Sequence, residues 1–122
     1  MSRISLPGPE IADRPTSVLS HRVGAAGLCS DSASDRWFPT EPGNSATDKA
    51  RQDYELYARA ACLGCTVLME CRELALRIEA HPRVRAHGVW GGLAPWERDA
   101  LRRRREHARR GNEPAESPAV AS

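Results

Sequence analysis

The chain has one lysine, Lys49, one phenylalanine, Phe38, and four cysteines among 122 residues. No apolar run approaches the roughly 18 residues that a membrane helix needs. The opening MSRISLPGPEIADRPTSVLSHR also lacks the continuous apolar stretch of a secretory signal. The expectation is a cytoplasmic protein without membrane contact. Thiols stay reduced there, so disulfides are disfavoured and metal ligation or dithiol chemistry comes forward. Lysine is so scarce that the basic chemistry is almost wholly guanidinium, a bias that fits a GC-rich coding sequence.

Aromatic residues are sparse too. Trp37, Phe38, Tyr54, Tyr57, Trp90 and Trp96 all fall between positions 37 and 96. Residues 1–27 carry Pro7, Pro9, Pro15 and several serines without a clear period, which predicts a flexible arm. Residues 28–110 are expected to form one small domain, and 111–122 a disordered tail. So short a span buries only a thin core and gains from a metal or cross-link.

Within that span the pattern predicts an all-α fold, a small bundle of three to four short helices. The first is expected to start at Ser45, since Ser45-Ala46-Thr47-Asp48 fits a capping box and Ala50, Tyr54, Tyr57 and Ala61 recur at helical spacing. A second is predicted over residues 66–80, with Val67, Cys71, Leu74 and Ile78 on one face and Pro82 forbidding continuation. HGVWGG, residues 87–92, reads as a tight turn whose glycines supply positive φ. A third helix should run from Pro95 to about Ala108, with Glu97 near its positive end.

The chemistry concentrates in CLGCTVLMEC. Cys62 and Cys65 form a C-x2-C before a helix, where backbone N–H groups favour thiolate, and Cys71 follows six residues later. Cys29 is the fourth thiol. Four thiolates suit tetrahedral zinc or an iron–sulfur cluster. A single C-x2-C with a C-x5-C and a distant cysteine is unusual for zinc and leans toward the larger cluster, leaving zinc open. The string Cys62, Cys65, His81, His87 imitates a Cys2His2 finger, but Pro82 breaks the helix between the histidines.

One cysteine, a long gap, C-x2-C-x5-C and then GVWGG before a basic helix resemble the WhiB-like family of actinobacterial transcriptional regulators. DRWFP after the first cysteine and HGVWGGLAPWERDALRRRR extend the resemblance over about residues 28–110. Thr66 departs from the proline that many members have there, though threonine can still cap a helix. The resemblance implies a helical fold wrapped around one 4Fe-4S cluster sensitive to oxygen and nitric oxide, with Cys29, Cys62, Cys65 and Cys71 as ligands. It implies binding to the C-terminal, promoter-reading region of the primary sigma factor. Trp90, framed by Gly88, Val89, Gly91 and Gly92, would face sigma, with Trp37 and Phe38 in the same interface; the alternative is that these aromatics are only core.

Between Glu97 and Arg110 stand seven arginines (Arg98, Arg102, Arg103, Arg104, Arg105, Arg109, Arg110) against three acids, in a chain of net charge +2. Arg98, Arg102, Arg105 and Arg109 form a stripe opposite Leu93, Trp96 and Ala100. The expectation is a basic helix making phosphate contacts with DNA, against a solvated helix end as the plain alternative. The chain therefore reads as a redox- and nitric-oxide-responsive transcriptional regulator rather than an enzyme, its rivals being a dithiol disulfide reductase and a structural zinc module.

Overall fold

The computed structural model describes residues 4–27, 34–43, 47–85 and 87–112. Among them lie five helices and no named strand: α1 Pro9–Ala12, α2 Thr16–Ala26, α3 Asp48–Ala61, α4 Leu68–Glu79 and α5 Pro95–Asn112, with a 3-10 turn at Ser34–Trp37. No described helix is long and apolar enough to cross a membrane. The fold is all-α, as expected. Cys29, Ser45, Ala46 and residues 113–122 lie outside the described residues.

The cap of α3 is Thr47, not Ser45: its Oγ1 accepts the Ala50 N–H at 3.2 Å. Tyr54, Ala58 and Ala61 face inward at i, i+4, i+7, whereas Tyr57 lies outside, its hydroxyl donating to Arg36 O at 2.9 Å. α4 starts at Leu68, with Val67 in the capping position and no side-chain cap, so Thr66 does not perform the expected role. Cys71 and Leu74 are buried there, but Ile78 is exposed. α5 starts at Pro95 as expected and continues to Asn112, past Ala108.

Residues 4–27 depart most from expectation. Over 9–26 the supposed arm is two helices, and α2 makes the most extensive helix contact in the fold, against α4. Leu19 and Val23, one turn apart, bury against Val67, Cys71 and Leu74. Arg22 pairs with Glu70 at 2.9 Å, and Arg77 reaches back to Thr16 Oγ1 at 2.9 Å and Ala12 O at 2.8 Å. Two inward residues are too few to announce a helix by period, and tertiary docking supplies what local pattern lacks.

The apolar interior is three small clusters. Trp37, Tyr54, Ala58, Ala61, Cys62, Val89 and Ala94 form one; Leu19, Val23, Val67, Cys71 and Leu74 another; Leu76, Leu93 and Leu101 the third, with Ile4 and Leu6 against it. Because α2 is docked through a wholly buried side chain, Leu19→Ala is expected to cost about 3 kcal/mol of unfolding free energy, read by urea denaturation.

Tyr54 is buried against Trp96, ring centroids 5.0 Å apart, and its hydroxyl has no hydrogen-bond partner. Burial, with the Glu41 carboxylate second, pushes its pKa up from 10.0 to about 12. A raised acid pKa means that the fold favours neutral tyrosine. The stabilisation is full below the unfolded pKa and is lost as pH climbs toward the folded one. Between about pH 9 and about pH 11.5, Tyr54→Phe should therefore lose about 2 kcal/mol less stability than the parent chain, measured by denaturant unfolding.

Candidate metal centre and partner-facing turn

Cys62 ends α3 as its C-cap, and the chain turns back through Leu63 and Gly64 so that the Cys65 N–H donates to Cys62 O at 3.1 Å. Cys71 lies in the first turns of α4, its N–H bonded to Val67 O at 2.9 Å. All three are thiols; Cys62 and Cys71 are buried and Cys65 partly so. Cys62 belongs to the cluster beneath Trp37 and Val89, Cys71 to the one beneath α2 with Cys65 and Trp90 against it. Among the described residues no three His, Cys, Asp or Glu side chains gather closely enough to hold one metal ion. His81 and His87 lie exposed beyond α4, on no common helix, so the finger-like string does not form a site.

Residues 87–93 form the second part of the site. Trp90 and Leu93 pair across Gly91 and Gly92, the Leu93 N–H donating to Trp90 O at 3.0 Å. Two glycines are fixed by what they touch. A Cβ on Gly91, where φ is +58°, would fall 2.6 Å from Arg72 Cα. One on Gly88, φ +69°, would fall 2.6 Å from both Trp37 O and the Phe38 ring. The turn thus lies directly on the backbone of α4 and on the Trp37–Phe38 segment.

Three arginines from three helices hold its carbonyls. Arg72 of α4 donates Nε and Nη2 to Gly91 O at 3.0 and 2.8 Å. Arg59 of α3 donates to Gly92 O at 2.9 Å while gripping Glu97 through both carboxylate oxygens, at 2.7 and 2.5 Å. That hydrogen bond to Glu97, opposed by burial, raises the Arg59 pKa. Glu97 also accepts the Ala94 N–H at 2.9 Å, so it caps α5. Arg98 of α5 is wholly buried and donates to Gly88 O at 2.9 Å, Leu93 O at 2.7 Å and His87 O at 3.1 Å, with Nε on Glu79 at 2.9 Å.

The turn and the aromatic pair meet: the Val89 N–H donates to Trp37 O at 2.7 Å, and the Gly88 N–H to Glu41 at 3.2 Å. Of the residues expected to face a partner, Trp37, Val89, Gly88, Gly91 and Gly92 are buried supports. Trp90 is half-buried, and Phe38 is 51 % exposed. Phe38 and Trp90, with Ile78 and Val84, line a shallow groove of about 190 Å³.

Three arginines of the α5 stripe, Arg98, Arg102 and Arg105, face inward, contrary to expectation, while the fourth, Arg109, is exposed. Arg98 and Arg102 share Glu79, Arg102 also meets Asp99, and Arg105 pairs with Glu73 at 2.6 Å. Ala100, placed on the packing side by the sequence pattern, is exposed. The reason is the acidic inner face of α4: Glu70, Glu73 and Glu79 are buried, and buried carboxylates need cationic partners. That signal was available as E-C-R-E-L-A-L-R-I-E, but hydrophobic periodicity does not register it. Arg104 donates to Ile4 O at 2.5 Å; Arg103, Arg109 and Arg110 are exposed, Arg103 meeting Asp99 and Arg110 meeting Glu106.

The fold and site define a small helical protein in which a cysteine-bearing connector and a glycine-framed tryptophan share one wall. A sequence model of the family described as "Transcription factor WhiB" matches residues 24–101, and the chain belongs to that family of transcription regulators. It is 40 % identical over 95 residues to the transcriptional regulator WhiB1 of Bifidobacterium longum, covering 78 % of this chain and 90 % of that one. It is 33 % identical over 78 residues to the redox-responsive transcriptional regulator WhiB3 of Mycolicibacterium smegmatis, 64 % and 73 % of the two chains. With the transcriptional regulator WhiB2 of Mycobacterium tuberculosis it shares 37 % over 76 residues, 62 % and 68 %. No solved structure gives a significant match.

Because Gly91 rests on the α4 backbone at positive φ, Gly91→Ala should destabilise the chain by roughly 2–4 kcal/mol and raise hydrogen exchange at residues 90–93, read by mass spectrometry.

Proposed function

We propose that this chain is a redox- and nitric-oxide-responsive regulator that holds one 4Fe-4S cluster and binds the C-terminal region of the primary sigma factor. The observation that carries the reading is the shared wall: α4 bears Cys71 and also seats the Gly91 turn that presents Trp90. The donor set fits such a group in its chemistry, with Cys62, Cys65 and Cys71 as three ligands and Cys29, outside the described residues, as the fourth. When bound, the cluster supplies one-electron chemistry and a site of attack for oxygen and nitric oxide.

The chain's own residues do the rest. Cys62 and Cys71 are enclosed by apolar side chains, which limits water at the centre, while Cys65 is partly open to solvent. Trp90 and Phe38 present the aromatic edge of a partner groove, with Trp37 and Val89 beneath them. DNA contact falls to the exposed Arg103, Arg109 and Arg110, whose pairs with Asp99 and Glu106 are surface pairs, since Arg98, Arg102 and Arg105 are held by buried carboxylates and Arg104 by a carbonyl. A chain working at promoters acts in the cytoplasm. The described part of the arm, residues 4–27, is docked as a cover and belongs with the domain that follows in one unit. A dithiol reductase is less well supported, because reactive thiols are exposed and Cys62 is buried.

Protein purified without oxygen is expected to be brown, with about four iron per chain, and to capture the sigma C-terminal region. Trp90→Ala should keep its iron and weaken capture by about 2 kcal/mol or more, an aromatic anchor's share. Colourless protein holding one zinc would overturn the cluster, and undiminished capture by the variant would remove Trp90 from the interface.

A further inference from the structure

Buried charges in this fold come with opposites. Glu70 has Arg22, Glu73 has Arg77 and Arg105, Glu79 has Arg98 and Arg102, and Glu97 has Arg59. Arg72 is different. It is 7 % exposed, and its hydrogen bonds all go to carbonyl oxygens: two to Gly91 O and one from Nη1 to Ser5 O at 2.8 Å. Carbonyls satisfy N–H groups without neutralising the charge, so the guanidinium stays a buried cation in want of an anion.

The surroundings say where that anion belongs. Arg72 follows Cys71 directly. A Cβ built on Gly92 would lie 3.7 Å from Arg72 Nη2 and 3.8 Å from Cys62 Cβ, so guanidinium and Cys62 flank the same glycine. Glu97 is already gripped by Arg59 through both carboxylate oxygens and is not free to serve as that anion.

We propose that Arg72 is the fixed counter-charge of the sulfur centre built on Cys62 and Cys71, and the strut through which occupancy of that centre tightens the Gly91–Gly92 turn. A divalent metal held by four thiolates is anionic, as is a thiolate-ligated cluster. The attraction is mutual: the cation favours the loaded centre, and the loaded centre favours the cation in its place under Gly91 O. The inference rests on the thiolate-centre reading, but not on the metal being iron.

Cobalt(II) is the probe, because its thiolate absorption bands report sulfur ligation independently of iron. In full-length protein reduced without oxygen, Arg72→Gln should weaken cobalt affinity about tenfold or more, whereas Arg72→Lys, which keeps the charge, should stay within about threefold of the parent. Cobalt should slow hydrogen exchange at residues 90–93 in the parent and leave it unchanged in Arg72→Gln. Should Arg72→Gln lose its helical circular dichroism, Arg72→Lys carries the test: near-parental affinity with a faster-exchanging turn. Parental affinity in a folded Arg72→Gln, loss of affinity in a folded Arg72→Lys, a parental turn indifferent to cobalt, or no cobalt uptake by the parent would each overturn the proposal. Cobalt uptake by a parent that purifies without iron overturns the iron assignment alone and leaves the role of Arg72 standing.

Discussion

The fold depends on the enclosure of one guanidinium. Arg98 has no exposed surface, bonds Glu79 from α4, and donates to the carbonyls of His87, Gly88 and Leu93. It thereby joins α4, α5 and both ends of the glycine turn. Replacing a buried ion pair by apolar side chains is often neutral or stabilising, so the pair is not there because charge is a strong glue. Its value is geometric. A guanidinium presents donors in a rigid plane, and only one placement of the turn satisfies them. With three small apolar clusters in place of one large core, directional contacts have to fix what packing volume leaves open.

Arg59 and Arg72 extend the same logic to the other side of the turn. Each helix that forms the wall contributes one arginine to a carbonyl between His87 and Leu93, so the turn is positioned by three helices and by little of its own. Glycine is required at Gly88 and Gly91 because backbone from α4 and from Trp37 comes within contact distance. Trp90 therefore takes its position from α4 on one side, while Phe38 takes its own from the Val89 bond to Trp37 O on the other. A change at the first turns of α4 would reach one aromatic of the groove before the other.

Much of this was legible in the sequence, and the misses share a cause. C-x2-C-x5-C and HGVWGG stand out because their residues are chemically rare and closely spaced. The α3 and α4 helices were legible from apolar period, although their caps shifted to Thr47 and Val67. α1 and α2 escaped because Leu19 and Val23 are almost all that α2 buries; its stability comes from α4, which no local window contains. Leu93 and Trp96 pack inward as expected, but Arg98, Arg102 and Arg105 do so too, and hydropathic periodicity gives no sign of it. Here the buried face of α5 is selected by charge, against Glu73 and Glu79. Tyr57 and Ile78 erred in the opposite sense, apolar by type and exposed in fact.

The same reasoning separates the cysteine helix from the rest of the charge network. Where a carboxylate meets a guanidinium, both charges are permanent near neutral pH, and the contact is a fixed part of the fold. At Arg72 one side is permanent and the other is not, because thiols acquire negative charge only on deprotonation or ligation. A permanent pair there would make the turn indifferent to the state of Cys62 and Cys71. The carbonyl-only cradle of Arg72 leaves its charge without a carboxylate of its own, and its two bonds to Gly91 O tie it to the turn beside Trp90, which lines the shallow groove with Phe38. In a chain this small, the conversion of a chemical event at sulfur into a change of surface needs no separate domain, only a buried cation between the two.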